Sequence, residues 1–340
     1  MKKFIIVLLL VTPGLAYAQT EGKDAALIRK TIEDITPELV EVRRHIHANP
    51  ERGNREFKTA ALVAERLKAL GFEVTEKVAH TGVVGILEGG RPGRVVAVRA
   101  DMDALPILEK ADVPFKSRVD GVMHACGHDI HTSVALGTAM VLAGMKDRFN
   151  GTVKFLFQPA EEGSPPGESG GAGLMIREGV LKNPAPEVIF GLHVGSGLPV
   201  GMISYVSGGA LASNDSFEIV IQGKGVHASM PWGGVDSVVV ASQVVLALQN
   251  IRSRMTDTRT PFVLSVSTIH GGTAFNIIPE EITMTGTIRT HEKAIRARVH
   301  RLMDQVIKGV CEANGAEYIL NIRPGAPVTY NQPELTDWSV

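Results

Sequence analysis

The sequence predicts an α/β protein, a mostly parallel sheet with helices on both faces, with a smaller α+β unit inserted late in the chain. Three observations carry that expectation. Short apolar runs alternate with helix-patterned segments through the first half of the chain. Acidic or imidazole side chains recur just beyond those runs, on the side where an open α/β sheet binds ligands. From about Ser207 the texture changes to strands that alternate apolar and polar residues, as in a half-buried antiparallel sheet.

The N-terminus bears on compartment. Met1-Lys2-Lys3, the apolar run 4–11 and Ala16-Tyr17-Ala18 before Gln19 have the layout of a secretory signal peptide. Residues 1–18 are therefore expected to be removed, leaving an exported, periplasmic protein. The apolar run is too short to span a bilayer, so no membrane association is expected after cleavage. A 340-residue chain is long enough for two ordinary domains. A hydrophobic fraction of 44% and a formal charge of −1 give no electrostatic reason to expect nucleic acid or anionic lipid as a partner. The two cysteines, Cys126 and Cys311, would be candidates for pairing in an oxidising compartment. Cys126 sits in a ligand-like motif and Cys311 in a helical pattern, which argues against that pairing.

The elements follow in order. Residues 24–45 place Leu27, Ile28, Ile32, Ile35, Leu39 and Val42 at helical spacing, and Pro37 is expected to split the helix or start a second one. After the turn His47-Ala48-Asn49-Pro50, a helix is expected over 59–70, closed by Gly71. Strands are expected at 72–78, 83–87 and 94–99, the last running into Asp101 and Asp103. Residues 133–145, rich in Ala and Gly, read as a helix suited to close packing on a sheet. Strands at 152–157 and 187–192 lead into Glu161-Glu162 and His193, with a Gly- and Pro-rich loop and a short helix at 174–181 between them.

Beyond Ser207 the expected order is strand (around 217–221), helix (236–254), strands (262–269 and 281–289), helix (292–314) and strand (318–322). Asp236 caps the first helix and Gly315 closes the second. The order β-α-β-β-α-β is that of a ferredoxin-like unit.

The chemistry centres on Met123 to Ser133, M-H-A-C-G-H-D-I-H-T-S. Cys126 and His128 are two residues apart, and in an extended segment both side chains would point to one side. A thiolate and an imidazole aimed at one point are ligands for zinc or a similar ion. His124 and His131 flank them. His193, at a strand end, is a candidate third ligand. Asp103 is expected to hold a ligand imidazole in its tautomer, and Asp101 to support or join the site.

Glu161 and Glu162 leave their strand pointing apart, so one can ligate while the other serves as base. A divalent ion acidifies water enough for a neighbouring carboxylate to take its proton. In the second unit, His227 and Asn276 lie in glycine-flanked loops and Arg289 ends a strand. Read from the residues alone these are loops. An arginine beside an amide and a histidine is chemically suited to a substrate carboxylate.

These segments together resemble the amidohydrolase branch of the aminoacylase/carboxypeptidase family of dinuclear metallohydrolases. The matching stretches are R-R-H-I-H-A-N-P, R-A-D-M-D-A-L-P, M-H-A-C-G-H-D-I-H, Q-P-A-E-E-G, G-L-H-V, G-K-G-V-H-A-S-M-P, G-G-T-A-F-N-I-I-P and G-T-I-R-T, in family order. The resemblance implies a zinc-peptidase-like catalytic domain over 19–206, an inserted lid and dimerisation domain over 207–323, and a return to the catalytic domain over 324–340.

It implies Cys126, His128, Glu162 and His193 as ligands of two divalent ions (zinc, manganese, cobalt or nickel) and Glu161 as general base. It also implies a homodimer through 207–323, in which His227 of one copy serves the other copy's site, with Asn276 and Arg289 binding the substrate's α-carboxylate. The implied reaction is hydrolysis of the amide of an N-acyl or N-aroyl amino acid. A dipeptidase or carboxypeptidase of the same family is the nearest alternative. A periplasmic metal- or solute-binding protein, or an inactive remnant, are the others.

Three departures from the family pattern stand out. E-R-G-N-R-E follows the first histidines in place of a more apolar stretch, and residues 164–170 insert into the E-E-G loop. The family carries a further ligand histidine after the lid, whereas only about 17 residues follow Arg323 here and none is histidine. The resemblance therefore implies a sequence that stops short of that ligand.

Overall fold

A computed structural model describes residues 23–339, so the expected signal peptide over 1–18 lies outside the described residues. Among the described residues no helix is long and apolar enough to cross a membrane. The chain forms two compact units, one ending at Gly197 and one beginning at Leu198.

The first unit opens with α1 (Lys23–Ala48) and α2 (Phe57–Ala69), followed by β1 (Glu73–Val78), β2 (Gly82–Glu88) and β3 (Arg91–Asp101). Then come α3 (His128–Gly144), β4 (Asn150–Gln158), α4 (Gly171–Arg177) and β5 (Val188–Gly191). Pro37 does not divide α1, which runs unbroken through it. A proline forfeits one helical hydrogen bond. Packing of α1 along α3 offsets that loss, with Leu39 seated against Gly137, where a Cβ would meet its Cδ1 at 2.5 Å.

The five strands lie in the order β1-β2-β4-β3-β5. The sheet is mixed. β3 runs parallel to both β4 and β5, while β2 is antiparallel to β1 and to β4. The short turn between β1 and β2 permits only a hairpin, and a hairpin is antiparallel. Helices cover both faces. Val153, Phe155 and Phe157 of β4 join the core made with α1, α2 and α3, while Leu156 faces a second core with Met175 of α4.

The second unit contains β6 (Gly208–Leu211), β7 (Asp215–Gln222), β8 (Val226–His227), α5 (Ser237–Arg254), β9 (Phe262–His270) and β10 (Ile277–Ile278). It continues through β11 (Glu281–Thr290), α6 (Lys293–Asn314), β12 (Glu317–Pro324), β13 (Thr329–Asn331) and α7 (Pro333–Ser339). Its main sheet has the order β12-β7-β11-β9, all antiparallel, as in a ferredoxin-like βαββαβ unit.

Phe217, Ile219 and Ile221 alternate inward from β7 against α5 and α6, as their spacing predicts. The Asp236 carboxylate accepts from the backbone amides of Val238 and Val239, capping α5. Gly315, at φ +67°, closes α6. β13 pairs with β6, so residues 329–331 belong to this unit. Both cysteines are free, and Cys311 is buried in this unit's core.

Candidate metal centre

The carboxyl ends of the parallel strands gather the polar residues. Asp101 ends β3 and Asp103 follows it, Glu161 and Glu162 follow β4, and His193 follows β5. The fourth contribution comes from the start of α3. There the geometry differs from the extended segment expected of C-G-H. His128 is the first residue of α3, and Gly127 before it turns left-handed at φ +84°. That turn, and not a strand-like alternation, aims Cys126 and His128 at one point. A Cβ on Gly127 would lie 2.2 Å from Val194 Cγ2, so glycine is required twice over.

Cys126 Sγ, a His128 ring nitrogen and a Glu162 carboxylate oxygen lie within 4.8 Å of one another. Cys126 Sγ is 3.4 Å from His193 Nε2. His128 Nε2 is 3.8 Å from both Glu161 and Glu162 and 3.7 Å from Asp101. Asp101, His128 and His131 make a second close group.

His128 donates Nδ1–H to the backbone carbonyl of Asp103 at 2.8 Å, which leaves Nε2 with a lone pair. That Nε2 is buried and has no hydrogen-bond partner among the described residues. The Asp103 carboxylate does more than hold the imidazole. Its two oxygens accept from the backbone amides of Glu161 (3.0 Å) and Glu162 (2.9 Å), so it fixes the loop that carries both glutamates. Its Oδ1 also lies 3.3 Å from His128 Nδ1, so carbonyl and carboxylate together set the His128 tautomer.

His131 is not left free to ligate. Its Nδ1 donates to Asp101 at 2.6 Å and its Nε2 accepts from the amide of Val194 at 2.9 Å, tying the residue after His193 to the end of β3. Asp101 also pairs with Arg99. His193 itself donates from Nδ1 to the carbonyl of Val194 at 2.7 Å, turning Nε2 toward Cys126.

The electrostatics fit a cation. Burial opposes a charge on His128, yet Asp103, Asp101 and Glu161 outweigh it and raise the imidazole to about 9. Burial likewise opposes charge on Asp101, but His131, Arg99 and His128 hold it at about 2. Burial and the Glu162 carboxylate push the Cys126 thiol up to about 12. Burial raises Glu161, with Asp101 adding to it. Acidic groups thus surround one basic nitrogen and draw positive charge to it, and a divalent ion in place of the proton would meet the same surroundings. A sulfur, nitrogen and oxygen donor set suits zinc and its first-row neighbours.

A network that the sequence did not reveal is built around Asp129, the residue after His128. Both ring nitrogens of buried His47 face carboxylates, Asp129 at 2.8 Å and Glu109 at 3.1 Å. Arg43 forms an ion pair with the same Asp129. This strut joins the end of α1 and the 105–117 loop to the start of α3. From the residues alone H-A-N-P was legible as a turn, R-R-H-I-H-A-N-P entered only as part of the family resemblance, and Glu109 carries no local signal.

In the second unit, the exposed His227 of β8 pairs with Ile277 of β10. The amide of Ala228 donates to the carbonyl of Asn276, which brings the two glycine-flanked loops together. The His227 Nδ1 accepts from the backbone amide of Ser229 at 3.2 Å. Arg289 lies on β11, opposite Val263 of β9.

Residues 97–339 match peptidase family M20/M25/M40. The chain belongs to this family. It is 43% identical over 291 residues to an N-acyl-L-amino acid amidohydrolase of Geobacillus stearothermophilus, covering 86% of this chain and 77% of the relative. It is 42% identical over 312 residues to thermostable carboxypeptidase 2 of Saccharolobus solfataricus, covering 91% and 78%. Among M20 structures, the Bacillus subtilis YXEP protein, described as a dinuclear metal-binding peptidase, superposes with a TM-score of 0.76 at 36% identity, covering 88% of this chain and 77% of that one.

Proposed function

We propose that this M20 chain is a metal-dependent amidohydrolase that cleaves the amide bond of N-acyl or N-aroyl amino acids. The observation that carries the reading is the buried, unpartnered Nε2 of His128, facing Cys126 and Glu162 with Glu161 3.8 Å away. Cys126, His128, Glu162 and His193 are the proposed ligands of two divalent ions, zinc, manganese, cobalt or nickel. When bound, such ions would supply Lewis acidity to the scissile carbonyl and to the attacking water.

Glu161 is the proposed base. It takes the water's proton as the oxygen attacks the carbonyl carbon, and it returns that proton to the nitrogen as the carbon–nitrogen bond breaks. The products are a carboxylate and a free amino acid. Asp103 keeps Glu161 and Glu162 in fixed relation during the transfer by holding both their amides. Its elevated affinity for protons suits Glu161 to this shuttle.

The reading includes a homodimer through 207–323, with that unit as lid. His227 would hold the substrate and polarise its carbonyl in the other copy, and Asn276 and Arg289 would bind the substrate carboxylate. Its support is the motif set and the exposure of His227. The reading also includes export, supported by the basic start, apolar run and A-x-A site at the N-terminus.

The test is a panel of N-acetyl and N-benzoyl amino acids beside dipeptides, assayed with each metal on the wild type and on Glu161→Gln. Hydrolysis that depends on metal and is lost in Glu161→Gln, with metal binding kept, is the expected result. Turnover of dipeptides alone would favour the carboxypeptidase reading that the Saccharolobus relative represents. Metal binding without turnover of any amide would sink the enzyme assignment.

A further inference from the structure

Glu56 is fully buried, and its carboxylate is not spent where its position predicts. It stands at the N-cap of α2 but makes no side-chain cap. The first amides of α2, those of Lys58 and Thr59, are taken instead by Glu51 at 2.9–3.1 Å. Glu56 reaches across to accept from the backbone amide of Ala160 at 2.8 Å and from the hydroxyl of Thr81.

Ala160 is the residue before Glu161. It is buried and left-handed, at φ +48°, a conformation that L residues with a Cβ resist. Three successive amides, those of Ala160, Glu161 and Glu162, are thus held by two buried carboxylates, Glu56 and Asp103. Closer packing reinforces the grip. A Cβ on Gly53 would meet the carbonyl of Gly163 at 2.3 Å and Ala160 Cβ at 3.1 Å.

We infer that Glu56 is a positioning residue for the Glu161–Glu162 pair, holding Ala160 in the left-handed turn that presents one glutamate to the metal and the other to the substrate water. The inference deepens the proposed function and rests on that reading for the roles of the two glutamates. A merely structural Glu56 would steady α2 and leave the geometry beyond Ala160 unaltered. A positioning Glu56 makes the metal environment depend on a side chain that does not touch it.

The experiment uses the full chain loaded with Co2+, read by its visible ligand-field bands, by competition for the metal, and by kcat and KM where a substrate is turned over. Glu56→Ala is expected to shift the cobalt bands, to weaken cobalt binding by about tenfold and to lower kcat more than KM. Glu56→Gln, which keeps an acceptor for the Ala160 amide, is expected to restore most of both. In the Glu56→Ala background, Ala160→Gly is expected to recover cobalt affinity, because glycine adopts the left-handed turn unaided.

Should Glu56→Ala fail to fold, Thr81→Val carries the test, since it removes the second bond to the same carboxylate, and weaker cobalt binding is again expected. Unchanged cobalt bands and affinity in a folded variant that is only less heat-stable would overturn the inference. Because the cobalt readouts need no substrate, they judge Glu56 even if no amide proves to be hydrolysed.

Discussion

His128 gives its Nδ1 hydrogen to the carbonyl of Asp103 at 2.8 Å, with an Asp103 carboxylate oxygen 3.3 Å away, so one aspartate decides which nitrogen of a buried imidazole faces the site. The same residue's carboxylate anchors the amides of both glutamates, and one aspartate therefore orients donors from two different loops. Asp103→Asn would set an amide hydrogen against one of those backbone hydrogens. Metal affinity, measured by competition with a chelator, is expected to fall by roughly 10–100-fold, the range for losing a residue that orients ligands.

His131 gives a parallel expectation for His193. His131→Ala removes the bridge from Asp101 to the amide of Val194, and the strand end beside His193 loses its anchor. A loss of metal affinity of about tenfold or more is expected, together with a changed cobalt spectrum. Wild-type affinity in this variant would show that the bridge is dispensable.

Gly127→Ala tests the turn that joins Cys126 to α3. Alanine at φ +84° is strained by about 1 kcal/mol, and its Cβ would collide with Val194. Chemical denaturation is expected to show destabilisation of about 2–3 kcal/mol in all, with metal binding impaired beyond that loss.

His47 makes the fold sensitive to alkaline pH. Its hydrogen bond to Asp129, the largest influence, outweighs burial and with Glu109 raises it above the ordinary 6.5, against Arg43. A histidine raised on folding contributes stability that is complete below about pH 6.5 and is lost as pH climbs through the folded-state value. Asp129 and Glu109 behave oppositely. Burial is outweighed by His47 at Asp129 and by the Ser117 amide at Glu109, so both are lowered from 3.8 and 4.5, and their contributions fade only in acid. The melting temperature of the wild type is expected to decline above neutral pH. His47→Ala should flatten that decline and cost about 3 kcal/mol near pH 6. Identical slopes for both proteins would remove His47 from the account.

The positions of Asp101, Asp103, Glu161, Glu162 and His193 could be read in advance because the rule that places them is topological: residues just past parallel strands share a rim. Cys126 and His128 were legible as a pair because thiol and imidazole donors that close together have few other uses. Their local geometry was not legible, since the left-handed turn at Gly127 and the early start of α3 depend on Val194, far along the chain.

Pro37 misled for a related reason, as packing on α3 overrode a local propensity. Glu56 and His47 fall inside stretches the sequence singled out, E-R-G-N-R-E and R-R-H-I-H-A-N-P, but the roles of these two side chains were not legible. Their partners lie 104 and 82 positions away, and no periodicity records a bond of that length. E-R-G-N-R-E and the 164–170 insertion were visible only as two separate departures from the family pattern.

In the folded chain those two departures meet. Arg55 pairs with Glu168, and the buried Asn54 donates to Glu168 and to the carbonyl of Ser169. They behave as one transplantable cassette. Moving the insertion alone into a relative would strand Glu168 among foreign side chains. Moving R-G-N-R-E alone would bury an asparagine amide with nothing to receive it, a cost of about 1–3 kcal/mol. Loop exchange within the family therefore has a natural cutting pattern here, two segments more than a hundred residues apart that travel together or not at all.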